Sequence, residues 1–370
     1  MAKRIRVAVL YGGRSSEHDV SRESAKCVID NLDGDRFEVI PIAIDKQGRW
    51  HAQDLRQLRA STARALPVDG AGQDVALAPQ PQGAALEGIA GGGIDVVLPV
   101  MHGQLSEDGS IQGLFELADV PYVGSGVLGS AICMDKDVAK RLVRAAGIDI
   151  VDYLCVRAGQ WPAHAAELHE QVAAELGSPV FVKPANLGSS VGVTKVTDAG
   201  DRRALDAAVE RALQYDTKVL IERGIDAREI ELAVLSSLDP AAPPEVSVPG
   251  EIVPRGAFYD YERKYLDPEG AELHVPAPIS KRQAAQAQRI ARQAFVALEC
   301  EGMARIDLFL DRRNGRLLFS EANTIPGFTT ISMYPKLWEA SGLSYSELLA
   351  RLIDLARMRH ERRRTLERGL

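Results

Sequence analysis

Two apolar runs joined by a short Asn-Gly turn constrain this chain more than any other stretch. Arg305-Ile306-Asp307-Leu308-Phe309-Leu310 leads through Asp311-Arg312-Arg313-Asn314-Gly315 to a second run ending in Ser320-Glu321-Ala322-Asn323-Thr324-Ile325-Pro326-Gly327. Asn-Gly between apolar runs is a strong β-hairpin signal, because these residues accept the positive φ that tight turns need. The spacing predicts a hairpin over 303–323. Folding it brings Asp307 beside Glu321 and Asn323, and strand alternation puts Glu321 and Asn323 on one face. Arg305 shares a face with Asp307. Carboxylate and amide oxygens are hard ligands suited to Mg²⁺, which usually sits between protein carboxylates and a substrate phosphate. A cation beside such a cluster suits a site where negative charge develops. The bland alternative is a surface hairpin with solvated carboxylates. Polar residues at the ends of apolar strands, however, are where ligands normally bind.

A chain of 370 residues is too long for one ordinary core and long enough for two or three domains. It is 46% hydrophobic and 26% charged, an ordinary globular balance. The net charge of −7 argues against a dedicated nucleic-acid binder. The basic run Arg359-His360-Glu361-Arg362-Arg363-Arg364 is expected to be a solvated helix end, its cations complementing the helix dipole. Cys27, Cys133, Cys155 and Cys300 are widely spaced and form no CxxC pair, so they read as free, mostly buried thiols in a reducing compartment. No signal-peptide pattern precedes the first strand, and no apolar run approaches the ~20 residues of a membrane helix. These features point to a soluble cytoplasmic protein without a membrane or nucleic-acid partner.

The first part of the chain reads as strand 5–11, a Gly12-Gly13 turn, a helix over 17–32 and strand 39–44, the opening of a parallel α/β domain. Residues 52–93 are rich in Ala, Gly and Gln and resemble a variable insertion with some helix. Strand 94–101, helix 109–118 and a short strand 121–124 close that domain. A helix over 136–146, with Asp135 as its N-cap, follows. Strands at 151–156, 179–183, 193–196 and 218–222, with helices near 163–176 and 201–214, make a middle unit. The last part is α+β: strands 229–235 and 246–253, helix 280–299, the hairpin, and a C-terminal helix 344–360. A polar, aromatic loop over 255–276 interrupts it, and a loop of that length is more often functional than idle. The expected division is 1–124, 125–218 and 219–370.

Several constellations carry chemistry. Lys183 ends an apolar strand and precedes Gly188-Ser189-Ser190-Val191-Gly192. Small residues let backbone N–H groups reach phosphate oxygens, and a lysine adds a point charge. By itself this loop also suits a plain hairpin turn. It is no Walker A motif, and Gly12-Gly13-Arg14-Ser15-Ser16-Glu17 lacks the third glycine of a dinucleotide fingerprint. Asp45, near the end of strand two, keeps a Rossmann oxidoreductase formally open. Glu222-Arg223-Gly224-Ile225-Asp226-Ala227-Arg228-Glu229 joins two apolar strands, where it suits either an adenine and ribose edge or an ordinary crossover. His102, with Glu107 nearby, leaves the C-terminal end of a buried strand, where open sheets place ligand residues. It suits a general acid/base or an orienting donor. Tyr259-Asp260-Tyr261-Glu262-Arg263-Lys264-Tyr265 reads as a lid that closes over a polar ligand.

Taken together these segments resemble the D-alanine–D-alanine ligase family of the ATP-grasp superfamily, from about Val7 to Leu355. Seven motifs stand in order: Tyr11 to Ser21; His102-Gly103 with Glu107-Asp108-Gly109; Met134-Asp135-Lys136; Val182-Lys183-Pro184 with the glycine loop; Tyr259-Asp260-Tyr261 with Lys264-Tyr265; Arg305-Ile306-Asp307; and Glu321-Ala322-Asn323-Thr324 with Pro326-Gly327. The resemblance implies a fold of mixed α/β and α+β class, a three-domain ATP-grasp ligase with an N-terminal parallel α/β domain, a central lid domain and a C-terminal catalytic domain. It implies ATP-dependent joining of two D-alanines through an acyl phosphate, supplying peptidoglycan precursors. By similarity Lys136 and Lys183 hold the α- and β-phosphates and Lys264 reaches the γ-phosphate. Glu222, Arg223, Ile225 and Glu229 fall on the adenine and ribose edge, with Ser189 and Ser190 in the phosphate loop. Asp307, Glu321 and Asn323 bind two Mg²⁺ ions, with Mn²⁺ as a substitute and room for a monovalent cation. Arg305 and the backbone near Gly327 stabilise the oxyanion. Glu17 pairs with the first D-alanine's ammonium, and His102 lies at the substrate. Ser332 receives the second carboxylate, and Glu17, Ser189 and Tyr265 form a hydrogen-bond chain. A homodimer is implied as well. Relatives that make D-alanyl-D-lactate tend to carry Phe or His at the Tyr265 position, so tyrosine favours the dipeptide. A D-alanyl-D-lactate or other ATP-grasp amino-acid ligase is the alternative.

Overall fold

The computed structural model describes residues 3–68, 73–80, 83–87, 93–254 and 271–367. Three principal sheets carry the fold. The first runs in the order Gln73–Asp74, Trp50–Ala52, Phe37–Ile44, Ile5–Gly12, Val96–Pro99. Ile5–Gly12 is parallel to both its neighbours. Both its faces are covered: Val7, Val9 and Tyr11 enter one core while Ala8 and Leu10 enter another. A strand buried on both sides reads as a continuous apolar run. Gly12 closes that strand at φ +90°, and a Cβ there would lie 2.3 Å from the Ile44 carbonyl oxygen, so no other residue fits.

The second sheet is antiparallel, in the order Thr194–Val196, Val180–Pro184, Lys218–Arg223, Tyr153–Arg157. Val180, Val182, Val219 and Ile221 point into its own core against helices Trp161–Gln171 and Arg202–Leu213. The alternate residues Phe181, Lys183 and Glu222 therefore face the other way. The third sheet has six strands. Its path is Ala271–His274, Gly250–Pro254, Ala227–Leu235, Met303–Asp311, Leu317–Asn323, and Glu245–Val246 pairs with Ala227–Leu235. Helices Lys281–Ala297 and Lys136–Ala145 pack on one side. Met333–Ala340 and Tyr345–Arg364 pack on the other, in a core shared with the N-terminal sheet.

Several expectations are corrected here. The stretch 52–93 holds more strand than helix among its described residues: helix Leu55–Ala60 is six residues long, while Gln73–Asp74 joins the first sheet and Ala76–Gln80 pairs with Gly83–Glu87. Weak periodicity hid these short strands. Residues 121–124 contribute only an isolated bridge, Val97 to Tyr122. Helices Val127–Met134 and Met333–Ala340 are each too short to show a period in the sequence. The divisions at 124/125 and 218/219 cut across packing. Cys133, Ala139, Val143 and Ile148 belong to the C-terminal core, and strand Lys218–Arg223 lies wholly within the middle sheet. Cys133 and Cys300 are buried, but Cys27 and Cys155 are only half-buried.

The basic C-terminal run is not simply solvated. Helical spacing puts Arg359 and Arg363 on one face. The Arg359 guanidinium stacks 4.3 Å from the Tyr122 ring centroid and donates to the Tyr122 carbonyl at 2.8 Å and to that of Gly124. Arg363 pairs with Glu116 and Glu301. The run thus straps the N-terminal unit to the last helix.

Candidate active site

The exposed faces of the second and third sheets enclose a cavity of about 320 Å³. Lys183, Ser189, Ser190 and Glu222 border it on the side of the second sheet, Arg223, Ile225 and Glu229 at the crossover, and Lys136 at the start of its helix. Asp307 and Glu321 form part of the opposite wall. Sites of this size with a few convergent polar groups are the usual form of small-molecule pockets.

Lysines dominate the first wall. Helix Lys136–Ala145 is capped by Asp135, whose side chain accepts from the Val138 N–H at 3.0 Å. Lys218, itself buried, donates to Asp135 at 2.6 Å and to Asp137 at 3.2 Å and so ties that helix to the lid sheet. The Lys136 ammonium donates to the Leu187 carbonyl at 2.6 Å and lies 3.6 Å from Glu321. Lys183 donates to Glu222 Oε1 at 2.8 Å, and Lys140 sits 2.7 Å from Glu222 Oε2. Burial opposes ionisation of Glu222, but these two lysines overcome it and hold its carboxyl at about 2. Burial also pulls the Lys140 ammonium below the usual lysine range, against the pull of Glu222. Arg223 lies on the opposite face of the strand from Glu222. Its guanidinium reaches the Glu175 carbonyl at 2.6 Å and Asp152 at 3.4 Å, while the residue still borders the cavity. Ser189 and Ser190 both have positive φ, +54° and +58°, an uncommon backbone for non-glycine residues and one that clusters at ligand clamps.

The second wall carries the hairpin. Asp307 stands directly opposite Glu321, and Arg305 opposite Asn323. Arg305 forks onto Asp307, Nε to Oδ1 at 2.8 Å and Nη2 to Oδ2 at 2.7 Å, and its Nε also lies 3.1 Å from Glu231. The Asn323 amide donates to Asp307 at 3.0 Å. Among the described residues no three His, Cys, Asp or Glu side chains are grouped as a metal cage. The hairpin offers instead two carboxylates and an amide oxygen. This hard, incomplete donor set fits Mg²⁺, which leaves several positions to water and substrate phosphate.

A third group joins the N-terminal unit to this cavity. The Ser189 hydroxyl donates to Glu17 Oε1 across the two units. His102 is buried, with Nδ1 3.0 Å from the Ile325 carbonyl and Nε2 3.4 Å from Ser24 Oγ. Nδ1 therefore carries the proton, and Ser24 donates to Nε2. Burial lowers the ring's pKa, so it is neutral. Of the two roles the sequence left open, this geometry fits the orienting one. Glu107 accepts from the Gly103 N–H at 2.7 Å; burial, then the Glu17 charge, push it up to about 8. The Ser332 hydroxyl accepts from the Thr329 N–H at 2.9 Å and lies 2.8 Å from Thr329 Oγ1. A Cβ on Gly327 would meet Ser332 Oγ at 2.7 Å, so any other residue there would displace that hydroxyl. Lys264 and Tyr265 fall outside the described residues.

Sequence reasoning missed Lys140, Lys218 and Glu231. Lys140 had a signal, four residues after Lys136 beside the apolar Ala139 and Val143. Glu231 had one too, two residues from Glu229 on the same strand face, and it pairs in register with Asp307. Asp45 accepts from the Gln47 and Arg49 N–H groups and contacts His51, which occupies it in its own turn.

A lysine-lined antiparallel sheet closing on a carboxylate-bearing one defines an ATP-grasp enzyme, a nucleotide-dependent ligase. Residues 6–125 match the family model of the D-ala D-ala ligase N-terminus, and residues 142–354 match that of the C-terminus. The chain is 51% identical to a D-alanine–D-alanine ligase A of Bradyrhizobium diazoefficiens, over 100% of this chain and 99% of that one. Among solved structures, the D-alanine-D-alanine ligase of Coxiella burnetii superposes with a TM-score of 0.82 at 36% identity, covering 98% of this chain and 97% of that one. The VanG D-Ala:D-Ser ligase of Enterococcus faecalis gives 0.80 at 35% identity, covering 96% and 100%. This chain belongs to the D-alanine–D-alanine ligase family.

Proposed function

We infer that the protein joins two D-alanines to D-alanyl-D-alanine at the expense of ATP, for peptidoglycan synthesis. The carboxylate of the first D-alanine attacks the γ-phosphorus and ADP leaves. The amine of the second attacks the acyl phosphate carbonyl and loses a proton. The tetrahedral intermediate expels phosphate, which carries away one oxygen of the original carboxylate. The observation that carries this reading is that one cavity brings Lys136 and Lys183 together with the Asp307–Glu321 pair. Phosphoryl transfer is mainly positioning and charge neutralisation, and those are the groups it needs.

In this reading Lys136 and Lys183 receive the inner phosphates and Lys264 the γ-phosphate. Asp307, Glu321 and Asn323 hold two Mg²⁺ ions, which when bound neutralise charge on the phosphates. Glu222, Ile225 and Glu229 edge the adenosine. Arg305, held by Glu231 and Asp307, faces the oxyanion together with the Gly327 backbone. Glu17 receives the first ammonium, and the hydrogen bond from Ser189 supports this by linking the substrate unit to the phosphate loop. Ser332 takes the second carboxylate. Neutral His102 positions the 325–327 turn. A homodimer and a cytoplasmic setting belong to the same reading. Among the described residues no helix is long and apolar enough to cross a membrane.

Because a D-Ala:D-Ser ligase shares the fold, the acceptor must be tested directly. Phosphate release from ATP is to be followed with D-alanine alone, then with D-serine or D-lactate added, and products identified by mass. D-alanyl-D-alanine is the expected dominant product. A dominant D-serine or D-lactate product would move the acceptor, and no release with any would refute the reading.

A further inference from the structure

Lys140 is fully buried, 0% exposed, and is not among the described residues that line the cavity. Its helix turns it away from solvent, with the ammonium 2.7 Å from Glu222 Oε2 and 5.8 Å from the Tyr153 ring centroid. Lys183, on the neighbouring strand, takes Oε1 of the same carboxylate but borders the cavity. One carboxylate thus has two cations of different freedom. Lys183 lines the cavity together with Glu222, and Lys140 does not.

We propose that Lys140 is a positioning residue that holds the Glu222 carboxylate in place while Lys183 turns to phosphate, and that this pairing selects an amino-bearing purine over a 6-oxo purine. The proposal rests on the reading that Glu222 edges the adenine. An ionised carboxylate only accepts hydrogen bonds. It welcomes the 6-amino donors of adenine and repels the 6-oxo group of hypoxanthine. A buried carboxylate stripped of both cations would take a proton or turn away. With Lys140 present it keeps one.

The test is steady-state kinetics of the full chain with ATP and with ITP. Lys140→Met should raise KM for ATP about tenfold with kcat within about twofold, and cut the ATP-over-ITP ratio of kcat/KM about tenfold. Lys140→Arg, which restores a cation, should recover part of that ratio. A merely structural lysine would lower kcat for both nucleotides equally, and that result would overturn the proposal. Glu222→Gln separates the two layers. An unchanged ATP-over-ITP ratio in Glu222→Gln would refute the adenine edge itself. A changed ratio there with an unchanged ratio in Lys140→Met would refute only the role of Lys140. Should Lys140→Met fail to fold, the double variant Lys140→Met/Glu222→Gln decides. It should match Glu222→Gln alone, whereas a further loss of ATP-over-ITP selectivity would show that Lys140 acts other than through Glu222.

Discussion

The N-terminal sheet and the lid sheet meet the rest of the molecule in different ways. Val7, Val9 and Tyr11 of the first sheet share one core with Ala233, Met303, Tyr334, Trp338 and Leu352 of the C-terminal part. The lid sheet keeps its core to itself, and no buried member of that cluster lies outside residues 156–221. Its ties to the body include polar ones: Lys218 to Asp135 and Asp137, Glu222 to Lys140, Ser189 to Glu17, and Lys136 to Leu187. Interdigitated apolar packing resists separation. Charge pairs at the edge of a cavity can be exchanged for charges on a ligand. The N-terminal sheet is therefore locked to the body by apolar packing, whereas the second sheet has polar ties of a kind that a charged ligand can exchange.

The largest effect tests the face on which the two regions meet. Glu321→Ala should cut kcat on the order of 10³-fold with the circular dichroism spectrum unchanged; near-normal turnover would sink the metal assignment. Next come the two cores. Leu352→Ala, in the shared core, should cost ~2–5 kcal/mol of unfolding free energy in urea titrations. Leu205→Ala, in the lid core, should reduce hydrogen-exchange protection over 153–223 while helix Tyr345–Arg364 keeps its own. Loss of protection in both regions would erase the distinction.

Glu107 gives a pH-dependent contrast within the N-terminal unit, beside Glu17. Below about pH 4.5 its carboxyl is protonated in the folded and unfolded chain alike. As pH rises toward 8 the unfolded chain ionises it and the folded chain does not, so native stability falls over that window. Glu107→Gln keeps the acceptor for the Gly103 N–H and removes the titration. Its stability advantage over wild type should grow from pH 5 to pH 8, and a constant difference would contradict the shifted carboxyl. The smallest effect is at the strap: Arg359→Ala should cost about 2 kcal/mol, the combined scale of a stacked cation and its carbonyl bonds, read from the urea midpoint. A cost near zero would mean that the apolar core alone joins the units.

The hairpin was legible because its alternation, its Asn-Gly turn and its polar ends agree, and the register pairs Asp307 with Glu321 as expected. The parallel opening was legible from the continuous apolar strand and the Gly12-Gly13 turn. Short elements such as Val127–Met134 and the strands within 52–93 left too little period to read. Lys140, Lys218 and Glu231 were missed because charged residues inside a core become sensible only once their partners, far away in sequence, are known. Arg359 was misread for the same reason. Its partner, Tyr122, lies far upstream in the chain.

The most direct measurement follows an oxygen atom. D-alanine labelled with ¹⁸O in its carboxylate is turned over with ATP and Mg²⁺, and the released phosphate is analysed by mass. The acyl-phosphate account predicts one ¹⁸O in each phosphate formed and ADP as the nucleotide product. Unlabelled phosphate would contradict it.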